Sequence, residues 1–131
     1  MTPPSSPIGT QTWQSSMELI EEIYALSNLL PEEERFGLRI QLRHAAVSAV
    51  AHLCEGFKRQ ATVERKSTFA LARGECAQLL TLLATAVRVE KLLPADAKRA
   101  KELAKETSLL LSGLIDHPRT MQNTRGALSG K

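Results

Sequence analysis

The sequence predicts an all-α fold, an antiparallel up-down four-helix bundle, and three observations support this prediction. Leu and Ala dominate an apolar content of 43%, whereas aromatic residues make up only 4% of the chain. Strand-rich domains use aromatic and β-branched residues more heavily, so this composition favours helices. Pro and Gly separate four stretches in which apolar residues recur at three- or four-residue steps. Because the connections between these long stretches are short, neighbouring helices are expected to pack antiparallel.

The length and the cysteine count restrict the class of protein further. A chain of 131 residues corresponds to one ordinary domain. Cys54 and Cys76 are too few and too far apart for a disulfide framework or a zinc finger, which favours a reduced protein. The chain has no apolar run long enough to cross a membrane and no signal-peptide pattern at its start. We therefore expect a cytoplasmic protein without a membrane partner.

The first helix is predicted over residues 12–28, after a flexible arm of residues 1–11 that is rich in Pro and Ser. Trp13, Met17, Ile20 and Tyr24 follow one another at helical spacing. The dipeptide Leu30-Pro31 is expected to end this helix. These signals place the start of the bundle, residues 12–117, close to Thr12.

The remaining helices are predicted from their start and stop signals. Pro31 is expected to open the second helix, with three glutamates in its first turn, and Gly56 is expected to end it. Thr62 is a plausible N-cap for the third helix, which Pro94 separates from the fourth. The predicted ranges are 31–55, 62–91 and 95–116, followed by a flexible tail, residues 118–131.

The core of this bundle is predicted from the same apolar periodicity. Seven large side chains are expected to be mostly buried: Trp13, Tyr24, Phe36, Phe69, Leu79, Leu83 and Leu110.

The second helix carries more apolar surface than one bundle needs. Its apolar residues cover most of the circumference: Phe36, Leu38, Ile40, Leu42, Val47, Val50, Leu53 and Cys54. A bundle helix requires only one apolar face, so we expect this helix to contribute to a contact between subunits of a homo-oligomer. On the third helix, Ala70, Gly74 and Ala77 form a row of small residues, which suits either such a contact or packing within the bundle.

A narrow polar stripe on the second helix contains His44, Ser48, His52 and Glu55. A metal site would need matching carboxylates from facing helices, and a serine nucleophile would need an orienting acid and an oxyanion hole. The third helix offers no matching carboxylate and histidine pair. The pattern therefore favours a hydrogen-bonded polar seam that fixes helix register or the subunit contact, with no metal, no cofactor and no catalytic residue.

Charge is segregated along the chain. Residues 1–34 contain six Glu and no Lys or Arg, whereas residues 35–73 contain eight basic residues and two Glu. Five basic residues are candidates for binding RNA or DNA through phosphate contacts: Arg35, Arg39, Arg43, Lys58 and Arg59. The alternative for these residues is salt bridging to the acidic first helix together with solvation.

Several segments together resemble a known family. The run Leu30-Pro31-Glu32-Glu33-Glu34-Arg35-Phe36-Gly37-Leu38 is the longest of them. Further matching segments are Trp13-Gln14, Tyr24, Gln41-Leu42-Arg43 with Ala45, Ala46 and Ser48, Glu55-Gly56-Phe57 with Arg59, Phe69, and Ala72-Arg73-Gly74. This pattern is similar to the four-helix-bundle proteins encoded in 23S rRNA intervening sequences, which are related to the accessory variability proteins of diversity-generating retroelements.

The resemblance implies an architecture more firmly than an activity. It implies bundles that assemble into pentameric rings, no enzymatic activity, and a possible reverse transcriptase partner. The chain departs from the family pattern at His52, where the family usually has Asn, and at Glu75, where it has Ser. Two functional hypotheses follow: a non-catalytic accessory protein that binds nucleic acid, or an oligomeric protein-protein interaction module.

Overall fold

The structure, a computed structural model, describes Pro4 and residues 6–117. Within these residues there are four α-helices and no strand, as predicted. The helices are α1 (Pro7–Ser27), α2 (Leu38–Lys58), α3 (Thr62–Arg88) and α4 (Pro94–Asp116), with a short 3₁₀ helix, Glu32–Glu34, before α2. Each helix packs against its neighbours in the chain, and α1 also packs against α4, which closes the bundle. The predicted tail, residues 118–131, lies outside the described residues.

The start of α1 differs from the prediction. The Ser6 hydroxyl accepts a hydrogen bond from the Gly9 amide at 3.0 Å, and Pro7 occupies the first helical position. A serine N-cap followed by Pro is a strong helix-start signal, because the cap satisfies an orphan amide and Pro lacks one. Residues 7–11, which were assigned to a flexible arm, are therefore the first turn of the helix.

The predicted second helix is divided in two. Pro31 precedes the 3₁₀ helix Glu32–Glu34 rather than an α-helix, and Gly37, with φ −112° and ψ −108°, separates this turn from α2. At its other end α2 continues through Gly56 to Lys58. The prediction that Gly56 ends the helix was therefore wrong.

The second half of the bundle follows the predicted signals closely. α3 begins at Thr62, but Ala61 and not the predicted Thr62 occupies the N-cap. α4 begins at Pro94, where the Asp96 carboxylate accepts a hydrogen bond from the Leu93 amide. The Lys91 ammonium is hydrogen-bonded to the Glu33 carboxylate, which ties the α3–α4 connection to the 3₁₀ helix. This hydrogen bond raises the pKa of Lys91.

The core lies between all four helices, and its largest members are leucines. Phe69, Leu79 and Leu83 are fully buried, as predicted. Trp13 and Leu110 are half-buried. The prediction was wrong for Tyr24, which is 41% exposed, and for Phe36, which is 80% exposed.

One polar contact in the core connects two helices across the bundle. The buried hydroxyls of Ser15 and Thr107 lie 2.8 Å apart and form a hydrogen bond between α1 and α4. Cys76 is a buried free thiol. No helix in the described part of the chain is long and apolar enough to cross a membrane.

Candidate nucleic-acid interface

The five candidate phosphate-binding residues fall into two groups. Arg39 and Arg43 lie at the start of α2 and Arg35 lies in the turn before it, whereas Lys58 and Arg59 lie at the end of α2. α2 contains 21 residues, and a helix of that length extends about 30 Å. The two groups therefore do not form one continuous patch on a single subunit.

Arg39 donates hydrogen bonds to backbone carbonyls at and just after the end of α1. Its Nε donates to the Ser27 carbonyl at 3.3 Å, and its Nη2 donates to the Leu30 carbonyl at 3.4 Å. The last carbonyls of a helix have no partner within the helix, and the last turn of α1 contains no basic residue. The guanidinium of Arg39 supplies both a partner and a favourable positive charge at this helix end.

Arg43 is held by the same end of α1. Its Nε donates to the Ser27 hydroxyl at 2.8 Å, and its Nη2 donates to the Asn28 side-chain oxygen at 2.9 Å. The guanidinium also lies over the ring of Tyr24, 4.6 Å from the ring centroid. This stacking gives Tyr24 a role at the surface, which explains why it does not point into the core.

Arg35 is the most exposed member of this group. It forms an ion pair with Glu32 at 3.4 Å, and its guanidinium lies 5.3 Å from the centroid of the exposed Phe36 ring. An exposed pair of this kind is weak, so it leaves Arg35 accessible to an outside ligand.

The second group borders an open cleft of about 560 Å³ at the connection between α2 and α3. The cleft is lined by Phe57, Lys58, Arg59, Gln60 and Arg65. Arg59 forms an ion pair with Glu55, and Lys58 is exposed. Three cationic side chains therefore converge on one concavity.

Arg65 holds this connection in place. It is only 4% exposed, and it donates hydrogen bonds from Nε and Nη2 to the Arg59 carbonyl at 3.0 and 2.6 Å. Arg65 belongs to the basic segment of residues 35–73 but is not among the five predicted site residues. Its position one helical turn after Thr62 was the available signal, because a side chain there can reach back to the preceding connection.

The α3 N-terminus faces the same region. Ala61 occupies the N-cap and has no side-chain oxygen to accept from the first-turn amides. Lys66, in the second turn of α3, is exposed. The positive end of the helix dipole therefore adds to the charge of the nearby cationic side chains.

The polar stripe on α2 does not form the predicted seam. Ser48 and His52 are half-buried and His44 is exposed. Among the described residues no hydrogen bond joins these side chains to one another, and Glu55 pairs with Arg59 instead. Within one subunit the predicted seam that fixes helix register is therefore not formed, because the stripe lies towards solvent, where water competes for these groups. A role of the stripe at a subunit contact stays a prediction. No group of three or more potential metal ligands occurs in the part of the chain that the structure describes.

An apolar ridge, defined as Phe36, Ile40 and Val47, lies on the outer surface of α2 and the turn before it. Phe36 is 80% exposed, and about half of each of the other two side chains is exposed, 50% for Ile40 and 45% for Val47. The other apolar residues of the predicted wide surface, such as Leu42 and Leu53, are buried in the core. The excess apolar surface of α2 is thus confirmed as exposed surface on a single subunit.

Acidic residues lie on the α1 side of the bundle. Glu18, Glu21 and Glu22 belong to α1, which contains no basic residue. Glu18 pairs with Arg99 of α4 at 3.5 Å. In the described residues no ion pair joins these glutamates to the arginines of α2, so the predicted salt bridging between the first two helices was wrong.

Comparisons with known proteins give one family match and one similar fold. A family model described as "23S rRNA-intervening sequence protein" matches residues 9–113. A crystal structure of a protein of unknown function from the S23 ribosomal protein family of Bacteroides thetaiotaomicron is similar, with a TM-score of 0.73 and 20% sequence identity. The similarity covers 79% of this chain and 97% of that one, and at this identity it shows the fold alone. No curated protein matches the chain.

Proposed function

Because the chain belongs to the 23S rRNA-intervening sequence protein family, we propose that it is a non-catalytic, homo-oligomeric four-helix bundle that binds nucleic acid. The family description connects it with ribosomal RNA genes, and the charge distribution of the bundle supports a polyanionic partner. The described residues hold several cationic groups that lack a carboxylate partner, whereas residues 6–34 contain six Glu and no Lys or Arg. A polyanion would therefore approach the bundle from a side other than α1.

The cleft between α2 and α3 is the observation that carries this proposal. Lys58 and Arg59 extend from the end of α2, Arg65 lines the inner wall, and the uncapped N-terminus of α3 lies beside them. Phosphate oxygens are favoured at such a position, because both the cations and the helix dipole attract negative charge.

The mode of binding follows from what the cleft contains. Its aromatic residue, Phe57, is only 8% exposed and packs edge-to-face against Phe69. Stacking of a base on this ring is therefore blocked, and the cationic groups recognise the phosphate backbone rather than base edges. We expect weak dependence on base sequence and strong dependence on salt.

The apolar ridge of α2 supports the homo-oligomeric part of the proposal. Exposed apolar surface of this kind is typical of a contact between proteins. The resemblance to the family implies a pentameric ring, in which each cationic cleft would be repeated and weak phosphate contacts would add together. A reverse transcriptase as protein partner rests on the resemblance alone.

The alternative is an oligomeric protein-protein interaction module that binds no nucleic acid. The same apolar ridge favours this function, because it offers a surface to another protein without involving the cationic cleft. The two functions differ in one measurable property, the salt-dependent binding of RNA or DNA.

Fluorescence anisotropy with a labelled RNA hairpin and a labelled duplex DNA tests the proposal. At 50 mM salt the wild type should bind at micromolar concentration, and the affinity should fall steeply as salt rises. The double variant Lys58→Gln/Arg59→Gln should bind at least fivefold more weakly. Its matched control, Gln14→Glu/Ala25→Glu, changes the net charge equally but lies on exposed positions of α1, and it should bind almost as well as the wild type.

Each outcome of this experiment distinguishes the functions. If the wild type binds neither RNA nor DNA at low salt, the interaction module replaces the proposed function. If both double variants lose affinity equally, net charge explains the binding and the cleft is not the site. Circular dichroism and light scattering on the same samples establish that folding and assembly are unchanged.

A further inference from the structure

We propose that a second cationic surface, the α4 lysine row of Lys98, Lys101 and Lys105 together with Arg88 of α3, contacts the phosphate backbone of the bound nucleic acid. This inference rests on the proposed function, because it assumes that a nucleic acid is the ligand. It concerns residues outside the five that the sequence pattern selected, and it lies away from the cleft between α2 and α3.

The three lysines lie on one side of α4. Lys98, Lys101 and Lys105 are separated by three and four residues, which places them on neighbouring turns of the same helix face. Lys98 and Lys105 are exposed and Lys101 is half-buried. The row extends along α4 for about 10 Å, because each helical residue rises 1.5 Å.

A hydrogen bond between α3 and α4 shows which neighbour the row faces. Arg73 of α3 donates to the Ser112 hydroxyl of α4 at 3.1 Å, so Ser112 marks the α3 side of α4. Lys105 and Lys101 precede Ser112 by about two and three helical turns and therefore lie on this same side. The lysine row thus borders the junction between α3 and α4.

Arg88 joins the row from the other side of this junction. α3 and α4 run in opposite directions, and Arg88 follows Arg73 by about as many residues as separate Lys98 from Ser112. This register places Arg88 level with the beginning of the lysine row. Arg88 is exposed and also lines a shallow groove of about 570 Å³ at the end of α3.

These four cations have no partner in the described part of the chain. No hydrogen bond or ion pair joins any of them to another described residue. Two nearby carboxylates are engaged elsewhere, since Glu102 pairs with Arg99 at 3.8 Å and Asp96 caps α4. Lysines three or four residues apart on a helix repel one another, so this arrangement is stabilised when a bound anion neutralises them.

The surface beside the row permits close approach of a nucleic-acid backbone. The exposed residues of α3 along this junction include Ala77, Thr81 and Ala84, which are small and uncharged. Small side chains leave the lysine and arginine groups as the most protruding features of the face. A chain of phosphates can therefore contact several cations at once without steric obstruction.

The lysines of α4 are more available for phosphate contacts than the arginines at the start of α2. Arg39 and Arg43 are engaged with the end of α1, and using them for phosphate contacts would require breaking those hydrogen bonds. Lys98, Lys101 and Lys105 have no such contacts to lose. The cost of engaging a phosphate is therefore lower on α4 than at the start of α2.

Salt-dependent binding of the triple variant Lys98→Gln/Lys101→Gln/Lys105→Gln tests this inference, with the RNA hairpin and the duplex DNA in separate titrations. The variant should bind at least tenfold more weakly than the wild type at 100 mM salt. For each bound subunit that loses its three contacts, the slope of log K against log salt should become shallower by about 2 to 3. The matched control Gln11→Glu/Gln14→Glu/Ala25→Glu gives the same change in net charge on exposed positions of α1 and should retain the wild-type slope.

The outcomes separate this inference from the proposed function. Wild-type affinity in the triple variant would overturn the inference while leaving the proposed function intact. An equal loss in the triple variant and its control would also overturn it, because net charge would then be sufficient. If the wild type binds neither probe, the proposed function itself is wrong, and the inference fails with it.

Discussion

Gly56 of α2 lies directly against the aromatic ring of Phe69 in α3. A Cβ atom added to Gly56 would lie 2.6 Å from two carbons of that ring, which is closer than van der Waals contact permits. Phe69 is fully buried, and its ring contacts Phe57 edge-to-face with centroids 5.0 Å apart. The ring therefore has little freedom to move away, and the two helices depend on a residue without a side chain at this crossing.

The variant Gly56→Ala should be less stable than the wild type. Alanine favours a helix by about 1 kcal/mol relative to glycine, but overpacking against Phe69 should outweigh this gain and lower the free energy of unfolding by about 2 kcal/mol. Urea denaturation measures the change. Gly74→Ala is the control, because nothing lies within 4 Å of the added Cβ there, and it should be slightly stabilising. Equal stability of Gly56→Ala and the wild type would contradict the packing interpretation.

Arg43→Ala should destabilise the bundle by about 1 to 2 kcal/mol, because it removes two hydrogen bonds to the end of α1 and the stacking on Tyr24. Thermal or urea unfolding followed by circular dichroism measures this. Arg35→Ala provides the comparison, since its exposed ion pair with Glu32 should contribute less than about 0.5 kcal/mol. Similar small effects for both variants would show that the contacts of Arg43 with α1 do not stabilise the bundle.

Replacing two residues of the apolar ridge, Ile40→Glu/Val47→Glu, should reduce the mass of the particle in solution. Both side chains are about half exposed on one subunit, so the substitutions should leave the fold intact but place charge in an apolar contact. Light scattering at micromolar concentration measures the mass. Val63→Glu/Leu109→Glu alters two exposed apolar residues outside the ridge and should leave the mass unchanged. A monomeric wild type would contradict the homo-oligomer.

Cys76 should make the free energy of unfolding depend on pH in the alkaline range. Burial, together with the neighbouring Glu75 carboxylate, raises the pKa of the Cys76 thiol to about 12, from a value of 9.0 without these effects. Below pH 9 the thiol is protonated in both the folded and the unfolded chain. Between pH 9 and 12 only the unfolded chain loses the proton, so the contribution of the thiol to stability is lost as pH rises.

The variant Cys76→Ala measures this contribution. The free energy of unfolding of the wild type should exceed that of the variant at pH 7, and the difference should shrink by about 2 kcal/mol by pH 10.5. Other titrating groups are shared by both proteins and cancel in the comparison. A difference that stays constant with pH would show that the thiol is not protected from ionisation.

The helices of the second half of the chain were predictable because their signals are local. Pro94 marks a boundary whatever the rest of the fold does, and the start of α3 at Thr62 was also predicted within one residue of its cap. Gly56 shows the limit of such signals. A glycine suits both a helix end and a close helix crossing, and only the position of Phe69 in the folded bundle distinguishes the two.

The sequence predicts which basic residues belong to the candidate site, but not the contacts that they make. The four-residue spacing of Arg39 and Arg43 places them along one side of α2, but it contains no information about which acceptors lie opposite. Those acceptors are at the end of α1 and become neighbours only when the two helices pack. The aromatic residues Tyr24 and Phe36 were assigned to the core for the same reason, since hydrophobicity alone does not show that an arginine covers the ring.

Arg39 of α2 donates hydrogen bonds to carbonyls at the end of α1, and these contacts affect the order in which the helices fold. Two of the acceptors at the end of α1, the Ser27 and Leu30 carbonyls, receive their donor from Arg39, which is only 12 and 9 residues away along the chain. A closed loop of that length forms at low entropic cost, so α1 and the beginning of α2 make a natural early hairpin. The last turn of α1 and the first turns of α2 should therefore gain and lose amide hydrogen-exchange protection as one unit.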